Sequence, residues 1–176
     1  MTVLKDSLAI IRKHSVKPPV QIKPIVEEMG LGLRFEALPA QISGVIRRTD
    51  RYPAGYEIIV NSTHARTRQR FTAAHELGHY IYHRDLLESG VGDTRAYRAE
   101  GTSLPNPNIQ IQHERQANAF AANLLMPSHL IRELREKGIA EVRKLAEALD
   151  VSEEAMRIKL GLHHRNLFSE FEDDVA

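Results

Sequence analysis

The sequence predicts an α+β fold: a small three-stranded sheet packed with a helix that carries an H-E-x-x-H motif, a second ligand-bearing helix, and a C-terminal helical group resembling a helix-turn-helix. Three observations carry this. Three short runs rich in β-branched and aromatic residues lie close together between positions 33 and 61. Helical periodicity holds on both sides of them. The longest helical pattern contains His75, Glu76 and His79, so two histidines four residues apart project from one face.

Of the 176 residues, 42% are hydrophobic and 27% charged, close to the averages for globular chains, so the length suits one core with a small appended unit. The expected division is a metal-binding domain over 1–137, a helical unit over 138–168 and an acidic tail over 169–176. Lys and Arg number 24 and Asp and Glu 23, leaving +1, so composition singles out no polyanionic partner. There is no cysteine, which excludes a disulfide framework and a thiolate site; any zinc must be held by histidine and carboxylate. The apolar run near the start is too short and too charged for a secretory signal, and no stretch approaches about eighteen apolar residues, so a cytoplasmic protein is expected.

In chain order, Val3, Leu4, Leu8 and Ile11 share helical spacing, and Pro18 and Pro19 separate that helix from VQIKPIVEEMG, closed by Gly30 as a cap. LRFEAL, ISGVIRR and YEIIVN are the expected strands. A helix follows from about Ser62 to His83. The stretch after it, over 86–108, is poor in apolar residues and reads as a loop placed to act as a lid. The next helix begins near Gln112 and stops at Pro127; Ser128 is the expected cap of another, ending at Gly138. Two more helices meet at 150–152, with Ser152 as a cap and Leu145, Ala146, Leu149, Val151 and Leu160 as a small core.

On the wheel His79 lies about 40° from His75, while Ala74, Leu77 and Ile81 fall on the opposite, core-directed side. Two imidazoles on one face suit a zinc ion, with Glu76 as general base toward its water. A catalytic zinc usually takes a third protein ligand. Glu114 is the best candidate, because Asn118, Ala121 and Leu125 share its stripe and small alanines allow close helix approach; His113 is the rival. Asn118, one turn on, suits a hydrogen bond that orients a ligating histidine. Tyr80, His83 and Arg70 are candidates for oxyanion stabilisation or the site edge, and the sequence does not choose among them. For His83 the plainer reading is a helix-end histidine bonded to backbone.

RQRFTAAHELGHYIYH together with ERQANAFAANLLMP resembles the ImmA/IrrE family of zinc-dependent peptidases, over roughly residues 20 to 135. The resemblance implies zinc ligation by His75, His79 and Glu114 with Glu76 as the base. It also implies, as substrate, a helix-turn-helix repressor whose cleavage relieves repression during DNA damage, phage induction or anti-phage defence. Family members are similar to thermolysin-like enzymes around the site, where an edge strand pairs with extended substrate; YEIIVN is the expected counterpart.

The competing class is a non-catalytic, zinc-containing nucleic-acid-binding regulator or ligand sensor. Its helix-turn-helix-like segment is a weak reader, since Glu153 and Glu154 would meet phosphates with the wrong charge. Arg47, Arg48 and Arg51 with Arg66, Arg68 and Arg70 form the better basic face, ordinarily a solvated one and otherwise a contact for a single-stranded DNA activator.

Overall fold

A computed structural model describes residues 2–88 and 110–162; most of the expected lid and the whole acidic tail lie outside the described residues. The elements are α1 (Thr2–His14), α2 (Ile22–Glu28), β1 (Gly32–Glu36), β2 (Gly44–Arg48), β3 (Tyr56–Asn61), α3 (Arg66–Tyr82), α4 (Arg84–Glu88), α5 (Ile111–Leu125), α6 (Ser128–Glu136), α7 (Val142–Leu149) and α8 (Glu153–Lys159). The α+β class is as expected. No helix among the described residues is long and apolar enough to cross a membrane.

α2 closes as its sequence implies. Gly30 takes φ +76°, its N–H donates to the Glu27 carbonyl at 2.9 Å, and the Leu31 N–H reaches back to Val26 at 3.0 Å, a left-handed glycine cap that turns the chain into β1. Across from that cap, Lys13 and His14 at the end of α1 both contact the Glu28 carboxylate, at 2.8 and 2.7 Å. Hydrogen bonds from Lys13 and then His14 hold Glu28 below its ordinary value of 4.5. A depressed carboxylate adds stability above its unfolded value and loses it as pH falls through the folded one. Glu28→Gln should therefore lower the melting temperature slightly near neutral pH, with the difference vanishing in acid below the folded value. A constant difference across the titration would place the effect elsewhere.

The sheet has the order β1-β3-β2, with β1 parallel and β2 antiparallel to β3. This corrects the reading of YEIIVN as an edge. β3 is the middle strand, and all six of its residues are buried. Tyr56, Ile58 and Val60 enter the main core, while Ile59 packs with Ile42 and Val45 on the other face. Strands on both sides use its backbone groups, so a peptide can join only at the outer edge of β1 or β2. Glu57, 1% exposed, sits between Arg47, at 2.7 Å, and Arg34, at 3.6 Å, contributed by the two flanking strands.

α3 starts at Arg66 rather than near Ser62. Asn61 is fully buried, and its carboxamide oxygen accepts from the Thr63 N–H at 3.1 Å and hydroxyl at 2.8 Å, while its amide donates to the Ile42 carbonyl at 2.8 Å. That hub holds the chain in a turn before the helix begins. Ala73, Ala74, Leu77, Tyr80 and Ile81 then enter the core with Ala121, Leu124 and Leu125 of α5. Gly78 marks the closest approach: a methyl there would sit 3.0 Å from the Phe120 ring and 3.3 Å from the Ala117 Cα.

α5 ends before Pro127 as expected, but Ser128 does not cap α6. Pro127 holds the cap position, and its carbonyl accepts the Ile131 N–H at 3.1 Å. Ser152 does cap α8, accepting from the Ala155 N–H at 3.1 Å. Leu145, Ala146, Leu149, Val151 and Met156 belong to the same core cluster as the sheet and α3, and Leu160 packs at its border. Asp150, left-handed at φ 54° and ψ 51°, turns α7 toward α8 and accepts from Arg66 at 2.8 Å.

Candidate metal centre

α3 and α5 are the elements that build the site. Their small residues, Gly78 on one and Ala117 and Ala121 on the other, let the backbones approach, so the longer side chains beside them meet over the crossing. His75 Nε2 and His79 Nε2 are 3.0 Å apart; Glu114 places Oε2 3.3 Å from the first and Oε1 3.6 Å from the second. These three residues form the group among the described residues whose donor atoms could share one metal ion. A tetrahedral zinc with bonds of about 2.0–2.1 Å requires its ligand atoms to be roughly 3.3 Å apart. The observed spacings straddle that value.

The chemistry of the set also suits a cation. His75 Nδ1 lies 2.8 Å from the Asn118 carboxamide oxygen, which can only accept, so the ring proton belongs on Nδ1 and Nε2 presents a lone pair. That lone pair faces a carboxylate. Zinc bound here would be held by His75, His79 and Glu114, with Asn118 orienting the first imidazole. The burial gradient agrees: His79 is fully buried, His75 side-chain exposure is 12% and Glu114 is 36% exposed, so the group opens toward solvent on the carboxylate side. Glu76, adjacent to His75, is 3% exposed on α3.

The other sequence candidates are distributed differently. His113 is spent at the start of α5, where its Nδ1 accepts the Gln110 N–H at 3.1 Å. Tyr80 is a core residue, 4% exposed, stacked edge-on with Tyr56 at 5.6 Å and accepting from Arg84 at 3.3 Å. Arg70 is a clamp between segments, donating to the Asp150 carbonyl at 2.9 Å and the Val20 carbonyl at 2.8 Å. Both lie about 140° round α3 from His75 in opposite senses along its length, off the ligand face. Neither is among the residues whose donor atoms meet at the site.

His83 stands next to the ligand pair. Its ring is 5% exposed and meets two side chains: Nδ1 is 2.9 Å from His79 Nδ1, and Nε2 is 2.9 Å from Gln116 Oε1. Gln116 is the residue that sequence reasoning missed. The expected basic face is also partly spent, with Arg47 on Glu57, Arg66 on Asp150 and Arg68 donating to the Ser43 hydroxyl at 2.8 Å.

The model of the IrrE N-terminal-like domain, peptidase family M78, matches residues 20–161. The chain belongs to this family. The match takes in both metal-bearing helices and runs on through α7 and α8, and the family is one of metallopeptidases. No curated protein matches this M78 chain. Among solved structures it is similar to a Mycobacterium tuberculosis transcriptional regulator, with a TM-score of 0.57 and 16% identity over 94% of this chain and 48% of the other. The M78 chain thus spans about half the length of that protein, and at this identity the likeness is one of fold.

Proposed function

We propose that the protein is a zinc-dependent endopeptidase that cleaves a helix-turn-helix transcriptional repressor, relieving repression in a DNA-damage, phage-induction or anti-phage defence response. The observation that carries the catalytic part is the convergence of His75, His79 and Glu114, with Glu76 next to His75 in the chain, in a member of a metallopeptidase family. Zinc, when bound, would supply a water of lowered pKa and a Lewis acid for the scissile carbonyl.

The protein's own residues do the rest. Glu76 accepts the proton released as water attacks the peptide carbonyl and returns it to the departing nitrogen, so the carboxylate ends each cycle as it began. Asn118 holds the His75 ring in place through the 2.8 Å contact. The outer edge of β2 is the better edge for an extended substrate segment, because Gly44 of that strand lies against Thr72, one turn before His75. α8 suits substrate contact more than DNA reading: Glu153 and Glu154 open it, and Arg157 is tied to Glu153 at 2.6 Å.

The test is incubation of the zinc-loaded protein with the repressor encoded beside it, with and without a chelator. A single cut that disappears on chelation and returns with zinc is expected. An intact repressor under all conditions, in the presence of single-stranded DNA as well, would overturn the substrate assignment.

A further inference from the structure

We propose that His83 and Gln116 are positioning residues that together fix the tautomer of His79, so that His79 presents an unprotonated Nε2 to the metal. The proposal rests on the reading of His79 as a ligand. The argument starts at Gln116. Its Oε1, 2.9 Å from His83 Nε2, is a carbonyl oxygen and can only accept, so the His83 proton sits on Nε2. A neutral imidazole protonated there has a lone pair on Nδ1, and that atom lies 2.9 Å from His79 Nδ1. The hydrogen between them must then belong to His79 Nδ1. Nε2 of His79 is left as a lone pair, aimed at the point it shares with His75 Nε2, 3.0 Å away, and Glu114 Oε1, 3.6 Å away.

Both ligand imidazoles are therefore aimed by carboxamide oxygens of α5, His75 directly by Asn118 and His79 through an intervening ring. The opposite orientation of the Gln116 amide would reverse every hydrogen in the relay and place a proton on His79 Nε2, where it would exclude a metal. Burial makes the arrangement matter. With His79 at 0% and His83 at 5% exposure, bulk water cannot readily replace a lost partner, and an unsatisfied buried N–H is costly. Gln116, by contrast, is exposed and also lines an apolar groove of about 540 Å³ between α1 and α5, so it can be changed without emptying the core.

The test uses the full chain and measures zinc affinity by competition with a chromophoric chelator. Gln116→Ala and His83→Ala should each weaken zinc binding by about 10–100-fold, while Gln116→Glu, which keeps an accepting oxygen, should retain it. In zinc-loaded protein labelled with nitrogen-15 at histidine, a coupling across the His79 to His83 hydrogen bond should appear, with the proton on His79 Nδ1. Gln116→Ala decides the matter should His83→Ala not fold. Wild-type affinity in Gln116→Ala, or a His79 proton found on Nε2 with zinc bound, would overturn the relay. Failure of the unaltered protein to take up zinc would instead overturn the metal reading, and the relay with it.

Discussion

Replacing Glu76 with glutamine is expected to cut proteolysis by about 10²–10⁴-fold while zinc stays bound and the fold stays intact. Glutamine has the same shape, so residue 76, at 3% exposure, keeps its packing, and the three ligand donors belong to other residues. What is lost is the ability to take a proton from the attacking water and give it back to the leaving nitrogen. Cleavage time courses beside metal analysis of the same preparations separate the possibilities. Unchanged proteolysis would remove Glu76 from the base role, and loss of zinc would make it a ligand.

The second large effect is expected at Gly78, one residue before His79 and not itself chemical. A methyl group there already meets Phe120 at 3.0 Å and the Ala117 backbone at 3.3 and 3.4 Å. Valine adds two carbons more, and the Ala117 main chain cannot step aside as a ring can. Gly78→Val should therefore push α5 away from α3, costing about 1–3 kcal/mol of stability and withdrawing Glu114 from the histidines. Zinc binding should weaken by roughly tenfold or more. Gly78→Ala should be milder, and Phe120→Leu should partly relieve it by removing the nearer obstacle while leaving the backbone contact. A Gly78→Val protein with unaltered melting temperature and zinc affinity would show that the helix separation is not what sets the site.

How much of this was legible in the sequence depends on whether a residue answers to its own helix or to a neighbour. His75 and His79 are legible because spacing along one helix places them on one face, and Ala74, Leu77 and Ile81 are legible as the opposite face for the same reason. Glu114 and Asn118 follow from their shared stripe among alanines. Gln116 does not, because it stands off that stripe and acquires its role only through His83, at the end of α3. Tyr80 and Arg70 are close to the motif in sequence but stand about 140° from His75 on the wheel, which sets them off the ligand face. Strand order was also hidden: the apolar run Ile58, Ile59 and Val60 is what a strand buried on both faces requires, yet Glu57 just before it reads as polar until Arg34 and Arg47 are seen on either side. Ser128 fits the residue type of a cap, but Pro127 already has the extended backbone and the fixed φ of −62° that the cap position needs.

The most direct measurement is zinc stoichiometry by elemental analysis, with X-ray absorption to identify the ligands, on the full chain and on His75→Ala, His79→Ala and Glu114→Ala. About one zinc per chain, bound through two imidazoles, one carboxylate and a light exchangeable ligand, and lost or sharply weakened in all three variants, is the expected result. Zinc retained at full affinity in Glu114→Ala, or an ion enclosed by four protein ligands, would contradict a hydrolytic centre built between α3 and α5.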